Sequence, residues 1–136
     1  MAGLITTVGQ VGYTATKHAV VALSKTLRLE AERHGVQVSV LCPGVVRTPI
    51  LTGGQYGHHH GVSDEDLLRL GEALRPLAPD AFADRALCAV SRGDAIIVVP
   101  RWWKALWYLE RLSPALSMCA AKVALKRTRE VHSTAS

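Results

Sequence analysis

The segment that most restricts this chain is Ala95-Ile96-Ile97-Val98-Val99. Five consecutive apolar residues leave no polar side for water, so the run belongs to a strand buried on both faces, as in a parallel sheet covered by helices. A second run, Val36-Gln37-Val38-Ser39-Val40-Leu41, is rich in β-branched residues and ends at Cys42-Pro43-Gly44. It reads as a strand, centred on Val38 to Leu41, that empties into a loop.

Helical patterns surround both runs. From Thr14 to His34, Ala15, Ala19, Leu23 and Leu27 recur every four positions beside Val20 and Ala31, and Gly35 supplies the stop. Ser63 and the acidic Asp64, Glu65 and Asp66 open a short helix through Leu67, Leu68, Leu70 and Leu74. Pro79 and Asp80 open another through Phe82, Ala86, Leu87 and Val90, closed by Gly93. The order helix, strand, helices, strand, helices is α/β. Two parallel strands alone expose unpaired backbone groups at their edge. The expectation is therefore that the chain holds part of a larger sheet, shortened on its N-terminal side.

Composition sets the remaining bounds. At 49% hydrophobic and 20% charged residues the chain is of globular rather than disordered type. Cys42, Cys88 and Cys119 are odd in number and widely spaced, which argues against a disulfide framework and for a reducing, cytoplasmic setting. Neither a signal peptide nor an apolar stretch of membrane-spanning length is present. The net charge of +5 is uneven: residues 1–100 balance their charges, whereas residues 101–136 set seven Lys and Arg against Glu110 and Glu130.

Tyr13 and Lys17 are four apart in the first helix, so their side chains share a face. A phenol alone is a poor acid or base near neutrality, and an adjacent ammonium favours its ionised form, which is the tuning that general acid/base work requires. The spacing alone arises by chance in roughly one chain in nine of this composition, so a second element is needed. Pro43-Gly44-Val45-Val46-Arg47-Thr48 supplies it, at the C-terminal end of a parallel strand, where open α/β sheets bind ligands.

Together with Met1-Ala2-Gly3 and the segment Gly12 to Lys17, this order resembles the classical short-chain dehydrogenase/reductase pattern of A-G, then YxxxK, then P-G-x-V-x-T, over residues 1 to about 100. The resemblance implies a Rossmann-like doubly wound parallel sheet, of which the chain holds the last two strands and surrounding helices, with a helical C-terminal extension. Residues 1–100 would be the C-terminal part of an NAD(P)-binding domain, and residues 101–136 a cationic amphipathic tail. It further implies that Tyr13 is the acid/base for an alcohol or ketone and that Lys17 also binds the nicotinamide ribose. Pro43, Gly44, Val46 and Thr48 would lie beside the nicotinamide of NAD or NADP. Homo-oligomers through the Tyr13 helix are expected, with small Ala15, Ala19 and Ala22 allowing close approach. Cys42 reads as a packing residue rather than a nucleophile.

The chain departs from the family pattern as well. It has no glycine-rich turn after a strand to hold a pyrophosphate, no helix asparagine, and no serine about 13 residues before the tyrosine. Met1 is accordingly expected to be an internal methionine of a longer reading frame, or the start of a truncated copy; in-frame upstream codons for that serine and an Asn-Ala-Gly segment would bear this out. A non-catalytic remnant that binds a partner is the alternative to an enzyme.

His58, His59 and His60 are consecutive in a Gly-rich loop and have no acid or cysteine at ligand spacing, so no metal is expected. By family analogy the loop from about Pro49 to Pro76 covers the substrate. In the tail, Arg101, Lys104, Tyr108 and Arg111 form one helical stripe, and Trp102, Ala105, Leu106, Leu109 and Leu112 the opposite one, flanked by Trp103 and Trp107. Lys122, Lys126 and Arg129 align on a following helix. Peripheral membrane contact through residues 101–129 is one reading of this ending; packing over a lipophilic substrate or against another subunit is the other. Nucleic acid is not expected as a partner.

Overall fold

The computed structural model describes residues 1–7, 10–49 and 72–133, with side chains as far as Val123. Helix α1 (Val11–Ala31) runs into a 3-10 turn (Glu32–His34), and strand β1 (Val40–Pro43) follows. Then come α2 (Pro79–Ser91), β2 (Ile96–Val99), α3 (Trp103–Leu112) and α4 (Pro114–Ser133). Of the helix expected over Ser63–Leu74, residues 63–71 lie outside the described residues, as do the three histidines; Glu72 and Ala73 are helical, and Leu74 packs against the core.

β1 and β2 pair in parallel, with Val40 opposite Ile96 and Pro43 opposite Val99. The first strand therefore starts at Val40 rather than near Val36: the ladder begins where β2 begins, and residues 36–39 have no described strand beside them. Both expected glycine stops are present, with Gly35 at φ +69° and Gly93 at φ +75°, backbone conformations that glycine adopts without the clash a Cβ brings.

Strand alternation divides the core. Val40, Cys42 and Val98 point to one face and pack with Leu4, Val21 and Trp103. Ile97 and Val99 point to the other and meet Ala89, Leu77 and Phe82. Leu41, on that second face but on β1, remains 46% exposed.

The apolar stripe of α1 is not the side that faces the sheet. Val20, Leu23 and Leu27 are exposed, while Thr14, Val21, Ser24 and Arg28 turn inward. Arg28 secures this arrangement by donating from Nη1 to the Val38 carbonyl (2.6 Å) and from Nη2 to the Gly93 carbonyl (2.8 Å). One guanidinium thus ties the helix to the approaches of both strands. Among the described residues, no helix is long and apolar enough to cross a membrane.

Candidate active site

Tyr13 and Lys17 stand on the first turns of α1, and the helical repeat brings them together as expected. The Lys17 Nζ sits over the Tyr13 ring, 5.2 Å from its centroid, a cation–π arrangement worth about 0.5–1 kcal/mol at an exposed site. Tyr13 is 48% exposed, so its ring is not enclosed.

A tight turn at the N-terminus links this pair to β1. Leu4 and Ile5 donate to the Met1 carbonyl (2.7 and 3.2 Å). A Cβ on Gly3 would lie 2.6 Å from the Lys17 carbonyl oxygen, so only glycine lets the turn rest on α1 at that level. The Met1 nitrogen in turn donates to the Pro43 carbonyl. Burial, more than any charge, holds the Met1 amino group below its ordinary value; Cys42 opposes the shift and Lys17 adds to it. Met1, Lys17, Cys42 and Pro43 therefore share one neighbourhood.

The Pro43–Thr48 segment leaves the sheet in a pinned conformation. Gly44 donates to the Val99 carbonyl (2.8 Å), continuing the ladder past β1. Val46 then bridges Leu77 in parallel, with Arg47 donating to the Leu77 carbonyl (2.9 Å) and Leu77 to the Val45 carbonyl (3.0 Å). The Thr48 hydroxyl donates back to the Val46 carbonyl at 3.5 Å. Arg47 grips both carboxylate oxygens of Glu72 at 2.9 Å; both side chains are exposed, so the pair contributes little to stability. Burial pushes the Cys42 thiol up, against a smaller opposite effect of the Met1 amino group. That suits the packing role expected of Cys42.

Three contributors go beyond the site residues expected from the sequence. Leu77 fixes Val46 from across the fold, and Arg28 fixes α1. Trp103 closes the turn: a Cβ on Gly44 would lie 2.1 Å from its Nε1. That nitrogen is buried and has no hydrogen-bond partner among the described residues. The crowd of tryptophans in the tail was the one available signal for Trp103; Leu77 and Arg28 had none.

Among the described residues, no hydrogen bond or ring contact joins Tyr13 and Lys17 to Val46 or Thr48; the Met1–Ile5 turn lies between the two groups. An open groove of about 230 Å³ lies on the neighbouring side of α1, lined by His18, Val21, Lys25, Trp107 and Arg111 among others, and not by Tyr13. The donor set fits one end of a dinucleotide. A phenol with an ammonium beside it can hold a ribose and a reacting oxygen, and the Pro-Gly turn carries backbone groups at the carboxyl end of a strand. Nothing among the described residues fits a pyrophosphate: α1 begins without a side-chain cap, and α2 begins with proline. No cluster of three metal-ligating side chains occurs among the described residues.

The sequence pattern of the short chain dehydrogenase family matches residues 1–55. The chain is 35% identical over 91 residues to the short-chain dehydrogenase srdC of Neurospora crassa, covering 65% of this chain and 30% of that protein. It is 34% identical over 109 residues to the dehydrogenase/reductase SDR family protein 7-like of Drosophila melanogaster (76% and 31%). To the probable oxidoreductase EphD of Mycobacterium bovis it is 31% identical over 118 residues (82% and 20%). A parallel α/β sheet and these likenesses make the chain a member of the short-chain dehydrogenase/reductase family. It spans about a third or less of the length of these curated relatives.

Proposed function

We propose that this chain carries the proton-transfer end of an NAD(P)-dependent oxidoreductase that interconverts an alcohol and a ketone, with a lipophilic substrate. The observation that carries the reading is the Lys17 ammonium poised over the Tyr13 ring. The names of the relatives, a short-chain dehydrogenase and a dehydrogenase/reductase, support it.

In the direction of reduction the Tyr13 hydroxyl gives its proton to the carbonyl oxygen, and in oxidation the phenolate takes the proton of the alcohol. Lys17 keeps positive charge beside the phenol as this exchange occurs, and binds the ribose of the cofactor. A bound nicotinamide, of NAD or NADP, supplies or accepts the hydride. Pro43, Gly44, Val46 and Thr48 hold its ring end, and Leu77 and Trp103 keep that turn in place. In this division of labour residues 1–100 form the site and residues 101–136 an accessory surface. The outward Ala15, Ala19 and Ala22 of α1 are the face for a second copy. Cys42, Cys88 and Cys119, all unpaired, suit a reducing cytoplasm.

The test is titration of the 136-residue chain with NADH and NADPH, followed by turnover assays on a panel of alcohols and ketones. In a reading frame extended to include a pyrophosphate-binding half, Tyr13→Phe should abolish turnover and leave cofactor affinity nearly unchanged. Retained turnover in that variant would remove Tyr13 from the role of acid/base. A chain that turns over no substrate yet captures a protein partner through the exposed face of α1, whose Leu23 is 67% exposed, would favour the second reading, a non-catalytic chain.

A further inference from the structure

The C-terminal helices turn an apolar stripe outward. Helix α3 is held to the fold by Trp103, 7% exposed, with Trp107 packed against the same core. Trp102, whose ring stacks on Trp103 just before the helix (centroids 4.4 Å), and Leu106 and Leu109, at i+4 and i+7 from it, face away from the buried side. They are 47%, 41% and 37% exposed, and Leu112, next to them, is 86% exposed. Helix α4 continues the theme with Leu116 and Val123 at 59% and 48%. Several large apolar side chains left exposed along one side of a short helix are the mark of a face that meets a partner.

Charge identifies the partner. Arg101, Lys104 and Tyr108 line one flank of the stripe, and among the described residues neither Arg101 nor Lys104 forms an ion pair. On the other flank the carboxylate of Glu110 is engaged: Oε1 accepts from the Thr6 hydroxyl (3.0 Å) and Oε2 from the Thr6 amide (3.3 Å). Residues 101–136 carry seven Lys and Arg against two Glu. A second copy on this face would bring the same positive charges together, a juxtaposition that opposes association. A negatively charged surface would neutralise them. Apolar residues with a tryptophan, bordered by cations, on a helix too short and polar to span a bilayer are the requirements for lying in its interface.

We propose that α3 and the beginning of α4 form a docking face for an anionic membrane surface, with Trp102, Leu106, Leu109 and Leu112 at the acyl boundary and Arg101 and Lys104 at the headgroups. The inference is independent of the chemistry assigned to Tyr13. Its test is co-sedimentation of the full chain with vesicles of phosphatidylcholine alone or mixed with phosphatidylserine. Binding to the mixed vesicles should be roughly tenfold stronger or more, and should weaken as salt is raised. Leu106→Gln, Leu109→Gln and Leu112→Gln together should abolish it with unchanged far-UV circular dichroism. The tryptophan emission should shift to the blue on binding, and Trp102→Phe should remove most of that shift, because Trp103 is already buried. This emission readout decides the matter even where the triple variant does not fold. Equal binding to both vesicle types, no binding, or an emission shift that survives Trp102→Phe would overturn the proposal. So would a concentration-dependent dimer that the triple variant abolishes, since the occupant would then be a second copy.

Discussion

Two glycines of similar appearance in the sequence have opposite roles. At Gly44 an added methyl would meet Trp103 Nε1 at 2.1 Å, so the indole must shift. Gly44→Ala is expected to destabilise the fold by about 1–3 kcal/mol, as overpacking does. Gly12, inside α1, has nothing within 4 Å of such a methyl, and Gly12→Ala should stabilise by about 0.5–1 kcal/mol through helix propensity. Urea denaturation of the two variants checks both signs. The cysteines separate in the same way. Cys88 and Cys119 are exposed and Cys42 is buried, with its thiol pushed up by that burial. A thiol-reactive dye at neutral pH should label two cysteines quickly and Cys42 only at the rate of opening. Because the folded state holds the Cys42 proton more tightly than the unfolded state, its contribution to stability is full below the ordinary thiol range and is lost as pH rises through the raised value. Cys42→Ala should remove that alkaline decline in a series of denaturation curves.

At the scale of elements, one polar side chain ties α1 to both strands beside the apolar packing of Val21. Arg28 donates to Val38 and Gly93 together, and its replacement by Met leaves two carbonyls to find water. The expected loss is about 1.5–3 kcal/mol, read as a lower urea midpoint. Arg28→Lys should recover only part of it, since an ammonium lacks the fork that spans both acceptors. The same helix shows where sequence reasoning succeeds and where it stops. Tyr13 and Lys17 were legible because a four-residue spacing in a helix fixes their mutual position whatever surrounds them. The Pro43–Gly44 end of β1 was legible because proline and glycine punctuate locally. The inward side of α1 was not: a stripe of Leu23 and Leu27 reveals periodicity, not what it faces, and a polar Arg28 at the inner position has no signature in hydropathy. The start of β1 was misplaced by a few residues because pairing with Ile96, far along the chain, sets it.

For the molecule as a whole, the tail is part of the core. Trp103 packs with Leu4, Val21, Val40, Cys42 and Val98, which come from the N-terminal turn, α1 and both strands. Trp103→Ala is expected to cost about 3–5 kcal/mol, a large share of the roughly 5–15 kcal/mol that holds a domain together. A chain ended at Pro100 should lose at least as much, and its cooperative urea transition should broaden or vanish. Nothing in the local pattern of residues 101–112 announces this contact, because its partner at Gly44 lies far away in sequence. The meeting of Gly44 with the Trp103 indole also bears on how the sequence can change over time. A side chain at position 44 demands a smaller ring at position 103, and a tryptophan at 103 demands the bare backbone at 44, so the two positions are bound to vary together or to stay as they are.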